Sequence, residues 1–247
     1  MRLRIVLITG VAVLAVLVAG VLWFTGRESL DEVDLDRAVA DLIEAEDDAE
    51  GEASDDDVVE VAEVVDPAGR WVVDTDVVPF DRERGAGSFV GYRIDEELSG
   101  RGAFVAVGRT PRVDGEVVID GSRVTEAQIR ADLVGLESDS ANRDARVAPL
   151  FRDRPVSFTL TEPVDFGTVP EEGQRVAVTA AGMLRIGEVE REVSFELSAE
   201  IVGQRLLLGG STIVTLSDFD VRVPSAPVVL SVSDDATIEL QLYLSRG

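Results

Sequence analysis

Arg143-Asp144 is the pair in this chain best suited to chemistry. Arginine presents a planar, permanently charged fork of donors that matches carboxylate or phosphate oxygens. Two readings of the pair stand side by side: a contact for the polar head group of a ligand at a pocket mouth, or a tie that caps a helix and fastens it to its neighbours. Other candidates are weaker. Glu96-Glu97, Glu171-Glu172 and Asp234-Asp235 offer paired carboxylates, as a glycosidase would, but these pairs sit at apparent turns, where adjacent carboxylates are simply solvated. Asp218-Phe219-Asp220 offers two acids without the glycine-centred loop that calcium needs. Gly85-Ala86-Gly87 reads as a turn before a strand and not as a nucleotide fingerprint. Ser157, Ser194 and Ser231 have no histidine to activate them.

Composition narrows the chemistry further. The 247 residues contain no cysteine and no histidine, and all 23 basic residues are arginine. Disulfides, zinc–thiolate sites, imidazole catalysis and lysine Schiff bases are therefore unavailable. The expectation is a non-enzyme without metal or cofactor. With 48 acids the net charge is −25, which repels phosphate backbones and makes nucleic acid a poor partner.

Three segments must position whatever site exists. Residues 1–27 hold an uncharged run, Ile5–Phe24, preceded by Arg2 and Arg4 and ending near Trp23. As a helix it would span ~30 Å, the thickness of a hydrocarbon core. Basic residues before it and acids after it predict a single-pass anchor in the cell membrane, N-terminus cytoplasmic and the remainder extracytoplasmic. A cleaved signal peptide is the rival reading, with Val18-Ala19-Gly20 a poor cleavage site lying inside the run; a buried soluble helix is a third. Residues 28–66 carry 18 acids and one base, Arg37. The capping-box form Ser29-Leu30-Asp31-Glu32, followed by Leu35, Val39 and Leu42, predicts a short helix near 30–45. Glu44–Asp57 is too polar to offset its chain entropy and reads as a disordered, charge-extended spacer, or alternatively as a docking tail for cations or a basic partner.

Residues 67–247 form the folded domain. Val193, Phe195, Leu197, Ala199 and Ile201 alternate with Glu192, Ser194, Glu196, Ser198 and Glu200, the cleanest period-two pattern in the chain. Gly187-Glu188 joins that run to Val176–Ile186 as a hairpin. Ile238, Leu240, Leu242 and Leu244 alternate with polar neighbours in the last run. Further strands are expected at 70–74, 88–94, 104–107, 116–119, 124–133, 156–161 and 206–216, and a short crossing helix at 138–150. The class is all-β: an antiparallel, lipocalin-like barrel of about eight strands with one crossing helix. Its inner faces are aliphatic or phenylalanine, so a ligand inside must be apolar.

The order of these segments resembles the YceI-like family. The resemblance rests on Arg70-Trp71-Val72-Val73-Asp74 and Ser88–Tyr92, then Asn142-Arg143-Asp144 with Leu150-Phe151 and Pro155–Phe158. The hairpin Gly182–Val193 and Ser217-Asp218-Phe219-Asp220-Val221 complete it. The resemblance implies a barrel whose pore binds a long polyisoprenoid chain for storage or transport. The implied pore lining comprises Tyr92, Phe104, Phe158, Leu184, Phe195, Leu197, Phe219, Leu240 and Leu242, with Arg143 as head-group contact; for the phenylalanines, plain core packing is the competing reading. The implied partners are an apolar long-chain lipid, carried as the bound molecule, and the membrane through the N-terminal helix. A homodimer is compatible with this reading. Two departures from the family stand out. Many members have a histidine in the strand that here reads Val90-Gly91-Tyr92-Arg93-Ile94, and residues Gly100–Arg112 differ from the usual pattern, which puts the shape of the pore mouth in question. The alternative function is a structural or interaction protein with a filled barrel and an acidic stalk.

The anchor is directly testable. Carbonate or high-salt washing of membranes is expected to leave the full chain in the membrane fraction, and a soluble form beginning near residues 20–27 would overturn the assignment.

Overall fold

Period-two alternation commits each strand of the domain to one wet and one dry face, and the chain satisfies both by closing the sheet on itself. The computed structural model describes residues 30–51, 66–171, 173–223 and 227–247. The anchor at Ile5–Phe24 and acidic residues 52–65 lie outside the described residues. Among the described residues, no helix is long and apolar enough to cross a membrane.

A helix, α1 (Leu35–Gly51), precedes β1 (Gly69–Asp74), β2 (Phe89–Leu98), β3 (Gly102–Thr110), β4 (Val113–Asp120), β5 (Arg123–Ala131) and β6 (Glu137–Ser138). A second helix, α2 (Ala141–Phe151), leads to β7 (Val156–Leu160), β8 (Val164–Asp165), β9 (Val176–Ile186), β10 (Val189–Val202), β11 (Arg205–Thr215) and β12 (Val229–Arg246). Strands β1, β4, β5, β7, β9, β10, β11 and β12 form an eight-strand antiparallel ring, closed where β1 pairs with β12. The β9–β10 turn is the two-residue hairpin expected from the sequence: Val189 pairs with Ile186, and Gly187 takes φ 67°, a left-handed conformation that favours glycine.

Strand β12 holds the ring together by changing partner along one edge. Its first part pairs with β2 as far as Gln241↔Phe89, and its last part pairs with β1 from Tyr243↔Asp74 to Arg246↔Trp71. The short β1–β12 ladder is reinforced by side chains. Trp71 is fully buried, its indole N–H donates to the Pro67 carbonyl at 2.8 Å, and the Arg246 guanidinium lies 4.2 Å from the ring centre. Asp74 Oδ1 accepts from the Asp76 and Val77 amides at 3.0 and 3.2 Å, while Oδ2 accepts from Ser245 Oγ at 2.5 Å and from Arg205 at 2.9 Å. One carboxylate therefore ends β1 and ties it to β11 and β12.

Two expectations for the acidic segment are corrected. The helix begins at Leu35, where Asp34 Oδ1 accepts from the Asp36 amide at 2.9 Å, and not at the Ser29 capping box. It then runs on to Gly51, through residues expected to be disordered. The reason is tertiary. Leu35, Ala38 and Leu42 are buried on the outside of the barrel, and the Tyr243 hydroxyl donates to the Ala38 carbonyl at 2.9 Å. Gly209 of β11 makes the groove, since a Cβ there would lie 2.5 Å from Leu35 Cδ1 and 3.0 Å from Val33 Cγ1. Barrel arginines take up the acids: Arg84 pairs with Asp41 at 2.8 Å, Arg175 with Asp36 at 2.8 Å and Arg205 with Glu46 at 3.6 Å. Residues 30–51 are thus part of the folded body.

Arg109 sits in the stretch flagged for a different pore mouth, but it lies on the outer wall. Its guanidinium and the Glu239 carboxylate are 1% and 2% exposed and 2.8 Å apart. Arg93 stands 3.5 Å from the same carboxylate. Both arginines donate to the arm: Arg93 to the Leu30 carbonyl at 2.6 Å, and Arg109 to the Asp31 carbonyl at 2.5 Å. Such a buried cluster is tolerable only because each charge keeps hydrogen-bond partners.

Leu42→Ala is expected to cost ~2–5 kcal/mol in denaturant unfolding, as for a packed core leucine. A chain starting at residue 67 is expected to melt below one starting at residue 30; equal melting would show that the arm contributes nothing. Burial alone would raise the Asp74 pKa, but the Ser245 hydroxyl, the Asp76 amide, Arg205 and the Val77 amide outweigh it and hold it below the ordinary 3.8. Its stabilising contribution is present above that value and is lost as pH falls through the lowered pKa. Asp74→Asn should therefore be less stable than the parent at neutral pH, with the difference shrinking in acid titration.

Candidate functional site

The barrel interior holds two chambers. The upper is about 530 Å³ and is lined by apolar residues of β2, β7, β9, β12 and α2, with polar groups gathered on one side. The lower is about 100 Å³ and almost wholly apolar, walled by β4, β5, β7, β9, β10 and β11 with Leu240 of β12.

The sequence-predicted residues divide between these spaces. Tyr92, Phe104, Leu184 and Arg143 line the upper chamber. Phe158, Phe195, Leu197 and Leu240 line the lower. Two line neither chamber. Leu242 is fully buried in the core that contains Trp71 and Leu244, and Phe219 is buried in the turn after β11, packed with Val214 and Leu216. Leu242 faces inward as alternation required, but the space beside it is filled, and Phe219 is a core residue of a turn.

Helix α2 carries the polar side of the upper chamber. Ser140 caps it, accepting from the Arg143 amide at 3.4 Å, and it continues two residues beyond Pro149. Asp144 reaches back to β6, accepting from the Ser138 amide at 3.0 Å and hydroxyl at 2.5 Å. Arg143 reaches across to β2, where it meets Glu96 at 3.2 Å, and also bonds Asp139. Burial works against its positive charge, but Asp139 and Glu96 outweigh burial and hold its pKa above the ordinary value. The pair therefore does tie the helix to the barrel, and the same guanidinium lines the chamber. Its charge is already balanced by two carboxylates.

Tyr92 stands beside this cluster. Its ring lies over Gly108 of β3, where a Cβ would be 2.6 Å from Tyr92 Cε1, so only glycine leaves the ring its place. Burial, aided by Asp144, Glu96 and Asp139 against the opposing effect of Arg143, pushes its pKa well above the ordinary 10.0. The hydroxyl thus remains a proton donor, on a residue that lines the chamber. Two guanidinium groups lie near the Phe104 ring, Arg101 and Arg143 at 4.3 and 5.7 Å from its centre. Sequence reasoning missed Glu96 as the partner of Arg143, because β2 and α2 are 47 residues apart at this contact. It also missed Ile94, Ile186 and Ile238, whose inward positions the alternation did signal.

Removing the guanidinium strands Glu96, which is 9% exposed. Arg143→Ala is expected to destabilise by about 1–3 kcal/mol, and adding Glu96→Gln should recover part of that loss in a double-mutant cycle. A strictly additive cycle would show that the pair is not coupled.

No curated protein matches the chain. Among solved structures, a polyisoprenoid binding domain from Saccharophagus degradans implicated in plant cell wall breakdown is similar at a TM-score of 0.54 and 13% identity, covering 73% of this chain and 99% of that one. Burkholderia cenocepacia BcnA is similar at 0.47 and 17% identity, covering 63% and 95%, and the Campylobacter jejuni YceI protein at 0.45 and 13%, covering 57% and 84%. At these identities the likeness concerns fold. The YceI-like domain family, however, matches residues 86–244, which takes in β4 to β11 and most of β12, the whole lining of the upper chamber and the Arg143–Glu96 tie, and the chain belongs to that family.

Proposed function

We propose that this protein binds a polyisoprenoid or similar long apolar chain in its barrel, for storage or transport, while tethered to the membrane by residues 1–27 with its domain extracytoplasmic. The observation that carries this reading is the 530 Å³ upper chamber with its apolar walls. Apolar cavities far smaller, of about 150 Å³, stay dry and take up apolar guests. A chamber of this size left empty forfeits dispersion contacts along its whole lining, and an apolar guest restores them. The affinity comes from apolar area removed from water, at ~25 cal/mol per Å² before ordering costs. The binding-domain character of the Saccharophagus degradans structure supports the same class of ligand.

Arg143 and Tyr92 would receive the polar end of that chain. Because Glu96 and Asp139 already neutralise Arg143, an anionic end group there would face two carboxylates, and an uncharged oxygen accepting from the Tyr92 hydroxyl suits the site better. No catalytic step is proposed. The alternative of a filled barrel whose stalk does the work fits poorly with the chamber volume and with an arm that packs on the barrel as far as residue 51.

Organic extraction of the full chain purified from its native membrane, followed by mass spectrometry, tests the proposal. The expected result is a prenyl chain recovered near one per protein. Repeated preparations without lipid, with delipidation leaving the melting temperature unchanged, would favour the filled barrel.

A further inference from the structure

We infer that Phe158 and Phe195 form an internal partition that sets the length of chain the barrel accepts. The inference rests on the lipid-binding reading above. Along each strand that borders both chambers, the change from one to the other takes one or two inward positions. On β7, Val156 lines the upper chamber and Phe158 the lower. On β12 the step falls between Ile238 and Leu240. On β9 it falls between Leu184 and Ala180, and the inward position between them is Gly182.

Gly182 is where the partition is built. A Cβ there would lie 2.4 Å from Phe158 Cζ and 2.6 Å from Cε2, so the Phe158 ring folds over a position that has no side chain. Its edge then meets Phe195, with ring centres 5.1 Å apart and planes at 74°. Phe195 is held from its own side, since it pairs across strands with Ala180, whose methyl leaves the ring room. The two rings, in edge contact and one lying over a glycine, are the first residues of β7 and β10 to line the lower chamber. On this inference a chain that fills the upper chamber stops where they close off the lower one. Moving either ring aside joins the upper 530 Å³ to the lower 100 Å³ and to the space the ring vacates.

The partition makes a prediction that ordinary wall residues do not. Truncating a wall residue weakens every ligand alike, whereas truncating a partition lengthens the preferred ligand. The test uses a graded series of all-trans prenyl alcohols, farnesol, geranylgeraniol and solanesol, titrated into the delipidated full chain in detergent, with Kd read by displacement of a fluorescent fatty alcohol. In the parent, solanesol should bind no better than geranylgeraniol. In Phe195→Ala the ratio of solanesol to farnesol affinity should rise about tenfold, a change of ~1.4 kcal/mol. Phe195→Leu and Phe158→Leu keep most of the buried volume and should move the ratio the same way by a smaller factor, which preserves the test if the alanine variant does not fold. Retained binding with an unchanged ratio in all folded variants, or a uniform loss across the series, overturns the partition alone. Failure of the parent to bind any of the alcohols overturns the lipid-binding reading and the partition with it.

Discussion

The structure depends on the exchange of partners along one edge of β12. Above Gln241 that edge belongs to β2, and below Tyr243 it belongs to β1. A strand can have only one neighbour on each edge at a given level, so β1 can close the ring only where β2 has left it. Where β1 takes over, Trp71, Leu242 and Leu244 fill the interior. Where β2 takes over, the wall continues into β3 and α2, and the upper chamber opens. The four-residue ladder of β1 is short for this task, which explains why Asp74 and Trp71 are both committed to it through side-chain bonds.

The arm before the barrel shows the same economy of opposite charges. A segment this acidic cannot hold a helix by its own apolar content, because like charges repel and little area is buried. It does so here because arginines on β2, β3 and β11 and in the connecting loops meet its carboxylates and carbonyls, while Gly209 gives Leu35 a groove. The Arg93–Glu239–Arg109 cluster is central to this. It is buried beneath residues 30 and 31, and its hydrogen bonds to their carbonyls fix the start of the described arm on the β2–β3–β12 wall.

Within the interior, polar and apolar requirements are separated in space. Arg143, Glu96, Asp139 and Tyr92 occupy one side of the upper chamber, and the lower chamber has almost no polar surface. The buried charges are tolerable because they satisfy one another. The family match and this layout agree on a barrel with two mostly apolar chambers inside it.

Alternation alone determined which way each side chain on β9, β10 and β12 points, because the strand period is two and a one-residue error would reverse every face. Phe195 and Leu240 were legible as inward, as was the β9–β10 hairpin from Gly187-Glu188, since both are properties of neighbouring residues. The crossing helix was likewise legible from the polar run that begins at Ser138, and the structure sets its cap at Ser140. Which inward residues border a void was not legible. Leu240 lines a chamber and Leu242, one period further on, is packed solid, and the difference lies in which strand stands opposite β12 at each level. Nor could the sequence reveal that Phe158 crosses to Phe195 over Gly182, that Glu96 would answer Arg143, or that the acidic arm would find its arginines. Each of these joins residues far apart in the chain, and such contacts exist only once closure of the barrel has brought them within reach.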